Sequence, residues 1–74
     1  MKEIKTTERY VIEVGTRVFK YLGYYYDRFD LKNNMIDAEF FVSESDAQEH
    51  IDTVKLLRNK KCRIRKIEIK FVDW

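Results

Sequence analysis

A chain of 74 residues, 45% hydrophobic and 15% aromatic, reads as one small domain (1–74) that buries only about 60% of its unfolded surface. It has no apolar run of about eighteen residues, which excludes a membrane-spanning helix, and Met1-Lys2-Glu3-Ile4-Lys5 lacks the apolar core of a secretion signal. A single cysteine, Cys62, excludes an intramolecular disulfide framework, so the expected compartment is the reducing cytoplasm.

The net charge of +2 conceals an uneven layout. Asp27 to Asp52 carries eight acidic and two basic residues, a balance of −6; Thr53 to Trp74 carries eight basic and two acidic, a balance of +6. The first 26 residues hold five basic and three acidic side chains. Such a layout makes either a dipolar surface or two segments that neutralise one another when packed.

In chain order, residues 1–7 read as a lead-in. Glu8 to Val14 is the first strand, rich in β-branched and aromatic residues. Gly15-Thr16 suits a two-residue type II′ turn, and Arg17 to about Tyr24 is the second strand. That turn pairs Val14 with Arg17, Ile12 with Phe19 and Tyr10 with Tyr21, and directly opposed residues share a face. The hairpin face that covers a helix is then Tyr10, Ile12, Val14, Phe19 and Tyr21. The other face, Val11, Glu13, Val18, Lys20 and Leu22, is mixed. Asp27 to Asn34 reads as a loop with Phe29 and Leu31 tucked in, followed by a single turn through Met35 and Ile36. Ala38 to Phe41 alternates as a short third strand.

The strongest local signal is the helix that follows. Ser43 is placed to cap it with Asp46 at the capping-box spacing, Ser45 with Gln48 offers the same geometry two residues later, and Glu44, Asp46 and Glu49 complement the positive end of the helix dipole. Ala47, Ile51, Val54 and Leu57 step by helical intervals along one face. No Pro or Gly interrupts the run from Ser43 to Lys61, and Asn59 is the expected terminus. The last strand runs from Cys62 to about Val72. Its alternation changes phase at Arg65-Lys66: Cys62 and Ile64 have one parity, and Ile67, Ile69 and Phe71 have the other. This suggests a β-bulge or a strand that begins at Lys66. The fold class is therefore α+β, a two-layer domain with a mainly antiparallel sheet, one helix on one face, and the order β-β-β-α-β.

Several of these pieces occur together in a known setting. Tyr10-Val11-Ile12-Glu13-Val14-Gly15 and Val18-Phe19-Lys20-Tyr21 form the early hairpin. Ala38-Glu39-Phe40-Phe41-Val42-Ser43-Glu44-Ser45-Asp46-Ala47 leads into the cap, and a Lys/Ile-rich strand closes the chain. In this arrangement the chain resembles small proteins encoded by phages and prophages of Gram-positive bacteria. It departs from them in the tyrosine-bearing segment 24–32 and in the terminal Trp74. The resemblance implies an accessory role in a mobile element, through binding of a host or phage protein, and carries over no functional residue.

Candidate chemistry is sparse. His50 and Cys62 are the residue types of a thiol–imidazole pair, but no oxyanion-donor motif accompanies them. Asp46, Glu49 and Asp52 read as a solvated helix face rather than metal ligands. With glycines only at 15 and 23 there is no phosphate-cradling loop, and no cofactor is expected. The tyrosine run is more informative. In a strand Tyr24 and Tyr26 share one face and Tyr25 takes the other, so at least one ring is partly exposed. Tyr and Arg are enriched at binding hot spots. Tyr24, Tyr25, Tyr26 and Arg28 are accordingly the candidate protein contacts, unless the rings simply cover a small core. Acidic Glu44, Asp46 and Glu49 are candidate electrostatic partners. Arg58, Lys60, Lys61, Arg63, Arg65 and Lys66 form a basic stretch that could grip a phosphate backbone, unless they complement the helix dipole and blunt a sheet edge. Phe71, Val72 and Trp74 either close the core or support a homodimer contact.

The expected function is thus non-enzymatic: binding of an unidentified host or phage protein, without a membrane. Nucleic-acid binding is the alternative.

Overall fold

The computed structural model describes residues 3–73. Its elements are β1 (Glu3–Val14), β2 (Lys20–Tyr25), β3 (Arg28–Lys32), α1 (Glu44–Thr53) and β4 (Cys62–Asp73), with 3₁₀ turns at Met35–Asp37 and Lys55–Leu57. The strands form an antiparallel sheet in the order β3-β2-β1-β4, and α1 lies on one face. This is the α+β arrangement with the order β-β-β-α-β. No helix among the described residues is long and apolar enough to cross a membrane.

β1 and β4 are its backbone. They pair antiparallel along their whole length, from Glu3↔Asp73 to Val14↔Cys62, in one unbroken register. Twelve residues of strand span about 40 Å, which accounts for the long dimension of a molecule measuring 49 × 27 × 23 Å. Glu3 to Thr7, expected as a lead-in, is therefore strand. Thr6 and Thr7 favour it locally, and the ladder to β4 holds it.

The first hairpin has a different register from the one the sequence suggests. Val14 faces Lys20 and Glu13 faces Tyr21, so the connection is the five-residue loop 15–19 and not a two-residue turn. Gly15 has φ +123, and a Cβ there would lie 2.6 Å from the Val18 carbonyl oxygen, so only glycine fits. A shift by three residues reverses the strand's parity. Leu22 joins Ile12 and Val14 on the helix face in place of Phe19 and Tyr21.

β1 and β2 then splay apart, and residues 38–41 fill the wedge. Gly23 bridges Ala38 and Tyr10 bridges Phe41. The Glu39 N–H donates to the Leu22 carbonyl (2.9 Å), and Tyr10 and Phe41 exchange both backbone hydrogen bonds (2.9 and 2.8 Å). The expected strand at 38–41 is thus two bridges across a gap. The third strand proper is β3, in the stretch expected as a loop. Phe29 and Leu31 are tucked onto the helix face as expected, but from a strand.

The core lies between this face and α1. Ile12, Val14, Leu22, Phe41, Ala47 and Leu57 are buried, with Tyr10, Phe29, Leu31, Ile51, Val54, Cys62 and Ile64 packed around them. Ser43 caps α1 as expected: its hydroxyl accepts from the Asp46 N–H at 3.1 Å. The helix is shorter than expected. Ile51, Thr53 and Val54 are β-branched and disfavour helix, and the Thr53 hydroxyl donates to the Glu49 carbonyl. After Val54 a 3₁₀ turn carries Leu57 back into the core, and Asn59 leaves it at a left-handed φ of 63°.

The change of phase at Arg65-Lys66 is neither a bulge nor a strand start. Pairing runs straight through it. Cys62 and Ile64 face α1, whereas Ile67, Ile69 and Phe71 lie on the opposite face, beyond the end of the helical layer. The phase change marks where the packed end of the sheet gives way to a projecting two-stranded arm, Glu3–Arg9 with Ile67–Asp73. Trp74 lies outside the described residues.

Candidate functional site

The candidate protein contacts meet at the tip of the β2–β3 hairpin. Tyr25↔Arg28 is its last pair, and Tyr26-Asp27 make the turn. Tyr26 takes φ 57, a conformation that a bulky side chain rarely adopts, and it is 88% exposed. Tyr24 and Tyr25 lie on opposite faces as expected for neighbours in a strand, and both are also exposed. Tyr26 has left the strand, and its ring meets Tyr25 edge-on, with centroids 4.7 Å apart.

The two sides of the tip differ in charge. On the helix side Tyr24 stacks on Phe29 at 4.7 Å. Partial burial raises the Tyr24 phenol pKa, and the carboxylates of Glu39 and Asp46 add to the effect. On the other side the Tyr25 ring lies 5.6 Å from the Arg28 guanidinium and 5.5 Å from the Lys32 ammonium, a cation–π arrangement. Glu44, Asp46 and Glu49 sit on α1. Of these, Asp46 is held by its own helix: its backbone accepts from His50 Nδ1 at 2.8 Å, and its carboxylate lies 3.8 Å from the same ring.

His50 and Cys62 have separate surroundings. The imidazole packs on Phe41 (4.6 Å) and Phe29 (5.8 Å), joining α1 to the core aromatics. The Cys62 thiol donates to the Lys60 carbonyl at 3.6 Å, and burial pushes its pKa up against the opposing charge of Lys60. Among the described residues no group of three or more His, Cys, Asp or Glu side chains is placed to hold a metal ion.

The basic stretch does not form one surface. Arg63 and Arg65 lie on the face opposite α1 and bind Glu13, at 2.6 and 3.0 Å. The Arg63 guanidinium also covers the Phe19 ring at 4.3 Å. Lys66 lies on the other face, 3.1 Å from Glu8. Arg58, Lys60 and Lys61 are exposed in the connection before β4, without an acidic partner among the described residues.

Glu13 is the residue that sequence reasoning missed. Its side chain is 0% exposed, directly opposite Arg63 and diagonal to Arg65. Burial works to raise its pKa. Hydrogen bonds from Arg65 and Arg63, with their positive charges, outweigh that and hold it below the usual carboxylate range. The available signal was an acid inside an apolar run, Val11-Ile12-Glu13-Val14, with an Arg-x-Arg on a distant strand. Only the β1–β4 register joins them.

No protein-family model, curated protein or solved structure matches the chain.

Proposed function

We propose that this chain is a non-enzymatic protein-binding module, an accessory factor of a phage or prophage, that engages its partner through the tip of the β2–β3 hairpin. The observation that carries this is Tyr26. A large aromatic ring is held almost fully exposed on a left-handed turn residue that glycine or asparagine would occupy without strain. Its neighbours Tyr24, Tyr25 and Arg28 are of the types that dominate binding hot spots. Tyr25, between two cations, presents a rigid amphipathic surface suited to a polar protein face. The resemblance to small phage-encoded proteins supports the biological setting.

The test is capture of a partner from bacterial lysate with wild-type protein and with Tyr25→Ala and Tyr26→Ala. Loss of a specifically captured protein with both variants, at unchanged melting temperature, supports the reading. Capture that survives both substitutions overturns it.

Nucleic-acid binding keeps a narrower basis. Arg58, Lys60 and Lys61 are free of acidic partners among the described residues, whereas Arg63, Arg65 and Lys66 are engaged within the sheet. Heparin retention that falls steeply with salt, and is lost in a triple alanine variant of the first three, would favour it.

A further inference from the structure

β4 is the last strand of the sheet, and among the described residues nothing pairs with its outer edge. An open edge of twelve residues is a template for another strand. The direction of its backbone groups follows from the ladder. Tyr10 directs both its N–H and its C=O to Phe41, away from β4, so Tyr10↔Lys66 is a non-hydrogen-bonded pair. Such pairs alternate along an antiparallel ladder. Lys66, Glu68, Lys70 and Val72 therefore turn their backbone groups to the open edge.

Two charges on this edge lack counterparts. Glu68 faces Glu8 across the ladder, a like-charge pair, and Glu8 is already bound by Lys66. Lys70 faces Thr6. Neither Glu68 nor Lys70 has an ion-pair partner among the described residues. On the opposite face Ile67, Ile69 and Phe71 form an apolar row that the helix does not cover, and Phe71 is exposed.

We propose that β4 pairs antiparallel with β4 of a second copy of this chain, about a two-fold axis between the two Ile69 residues. This register places Glu68 opposite the partner's Lys70 in hydrogen-bonded pairs, twice by symmetry. It places Ile69 beside Ile69, and Ile67 beside the partner's Phe71, so the two apolar rows become one. An axis at residue 68 instead sets Glu against Glu and Lys66 against Lys70. An axis at residue 67 sets Arg65 against Ile69 and Arg63 against Phe71. The self-complementary register has opposed charges on one face and joined apolar side chains on the other. The two sheets then run together as one of eight strands.

The test begins with mass by light scattering over a dilution series, followed by disulfide trapping in a Cys62→Ser background. At the axis, Ile69→Cys residues have Cα atoms about 4.5 Å apart, within disulfide reach. Ile67→Cys residues are offset by four residues, about 13 Å, and cannot bridge. Dimers at high concentration, trapped through Ile69→Cys and not through Ile67→Cys, are expected. Lys70→Glu is expected to weaken dimerisation about ten-fold, and Glu68→Lys added to it to restore it. A monomer even at about 1 mM overturns the proposal, since that corresponds to an association of only about 4 kcal/mol. Trapping through Ile67→Cys, or a charge reversal that the double swap does not rescue, overturns it equally.

Discussion

The two ends of the β1–β4 ladder share a register and differ in nearly everything else. At the packed end, from Tyr10 to Val14 and Cys62 to Lys66, β2 and residues 38–41 line one edge and α1 covers one face. At the arm, Glu3–Arg9 with Ile67–Asp73, no further strand and no helix is added among the described residues, and Ile4 is 76% exposed. Strand pairing alone is therefore not what stabilises this fold. Isolated two-stranded ribbons are marginal in water, and burial against a second layer distinguishes the stable end.

Substitution at the two ends sharpens the contrast. Leu22→Ala removes a fully buried β2 side chain from the core beneath α1, and a loss of about 2–5 kcal/mol is expected in urea denaturation. In a domain this small that approaches the whole stability.

A smaller loss is expected on the other face of the packed end. Glu13→Gln keeps the shape but removes the charge shared by Arg63 and Arg65, at about 2 kcal/mol. Its pH dependence has a definite sign. The folded carboxyl titrates below its unfolded value, so its contribution is fully present above the unfolded range and is lost as pH falls through the lower folded value. Thermal melts across acidic pH should show a shallower decline for the variant than for the wild type. Equal slopes would mean that Glu13 is not held ionised by the two arginines.

Ser43→Ala should cost about 1 kcal/mol, since the first turn of α1 loses its side-chain acceptor while the apolar face stays packed. At the arm, Ile4→Ala should change stability by less than about 0.5 kcal/mol, within the scatter of surface substitutions. A loss at Ile4 comparable to that at Leu22 would dissolve the distinction between the two ends.

What was legible in the sequence followed the same division. The helix start, the Ala47–Ile51 part of the stripe and the two-layer class could be read because capping geometry and helical period are local; Val54 and Leu57 reach the same core from beyond the end of α1. The hairpin register could not. Gly15-Thr16 has the composition of a two-residue turn, but Gly15 serves a five-residue loop in which it closely approaches Val18. β3 was hidden because its turn carries Tyr26 at positive φ, where Gly or Asn would have signalled a hairpin. The phase change at Arg65-Lys66 was visible but not interpretable. Alternation reports which side of a strand is apolar, and not that the covering layer ends partway along it. Among the candidate sites, the run foretold partial exposure of at least one tyrosine ring; exposure of all three follows from their place at the hairpin tip. The division of the basic residues between two faces, and the pairing of Arg63 and Arg65 with Glu13, needed the β1–β4 register.

The most direct measurement is amide hydrogen exchange along β4 in dilute protein. By the alternation of the ladder the N–H groups of Arg63, Arg65, Ile69 and Phe71 all point to β1, so they compare like with like. Protection is expected to be strong at Arg63 and Arg65 and to fall by orders of magnitude at Ile69 and Phe71. Uniform protection from Arg63 to Phe71 would contradict the central claim that one continuous ladder has a packed end and an open arm.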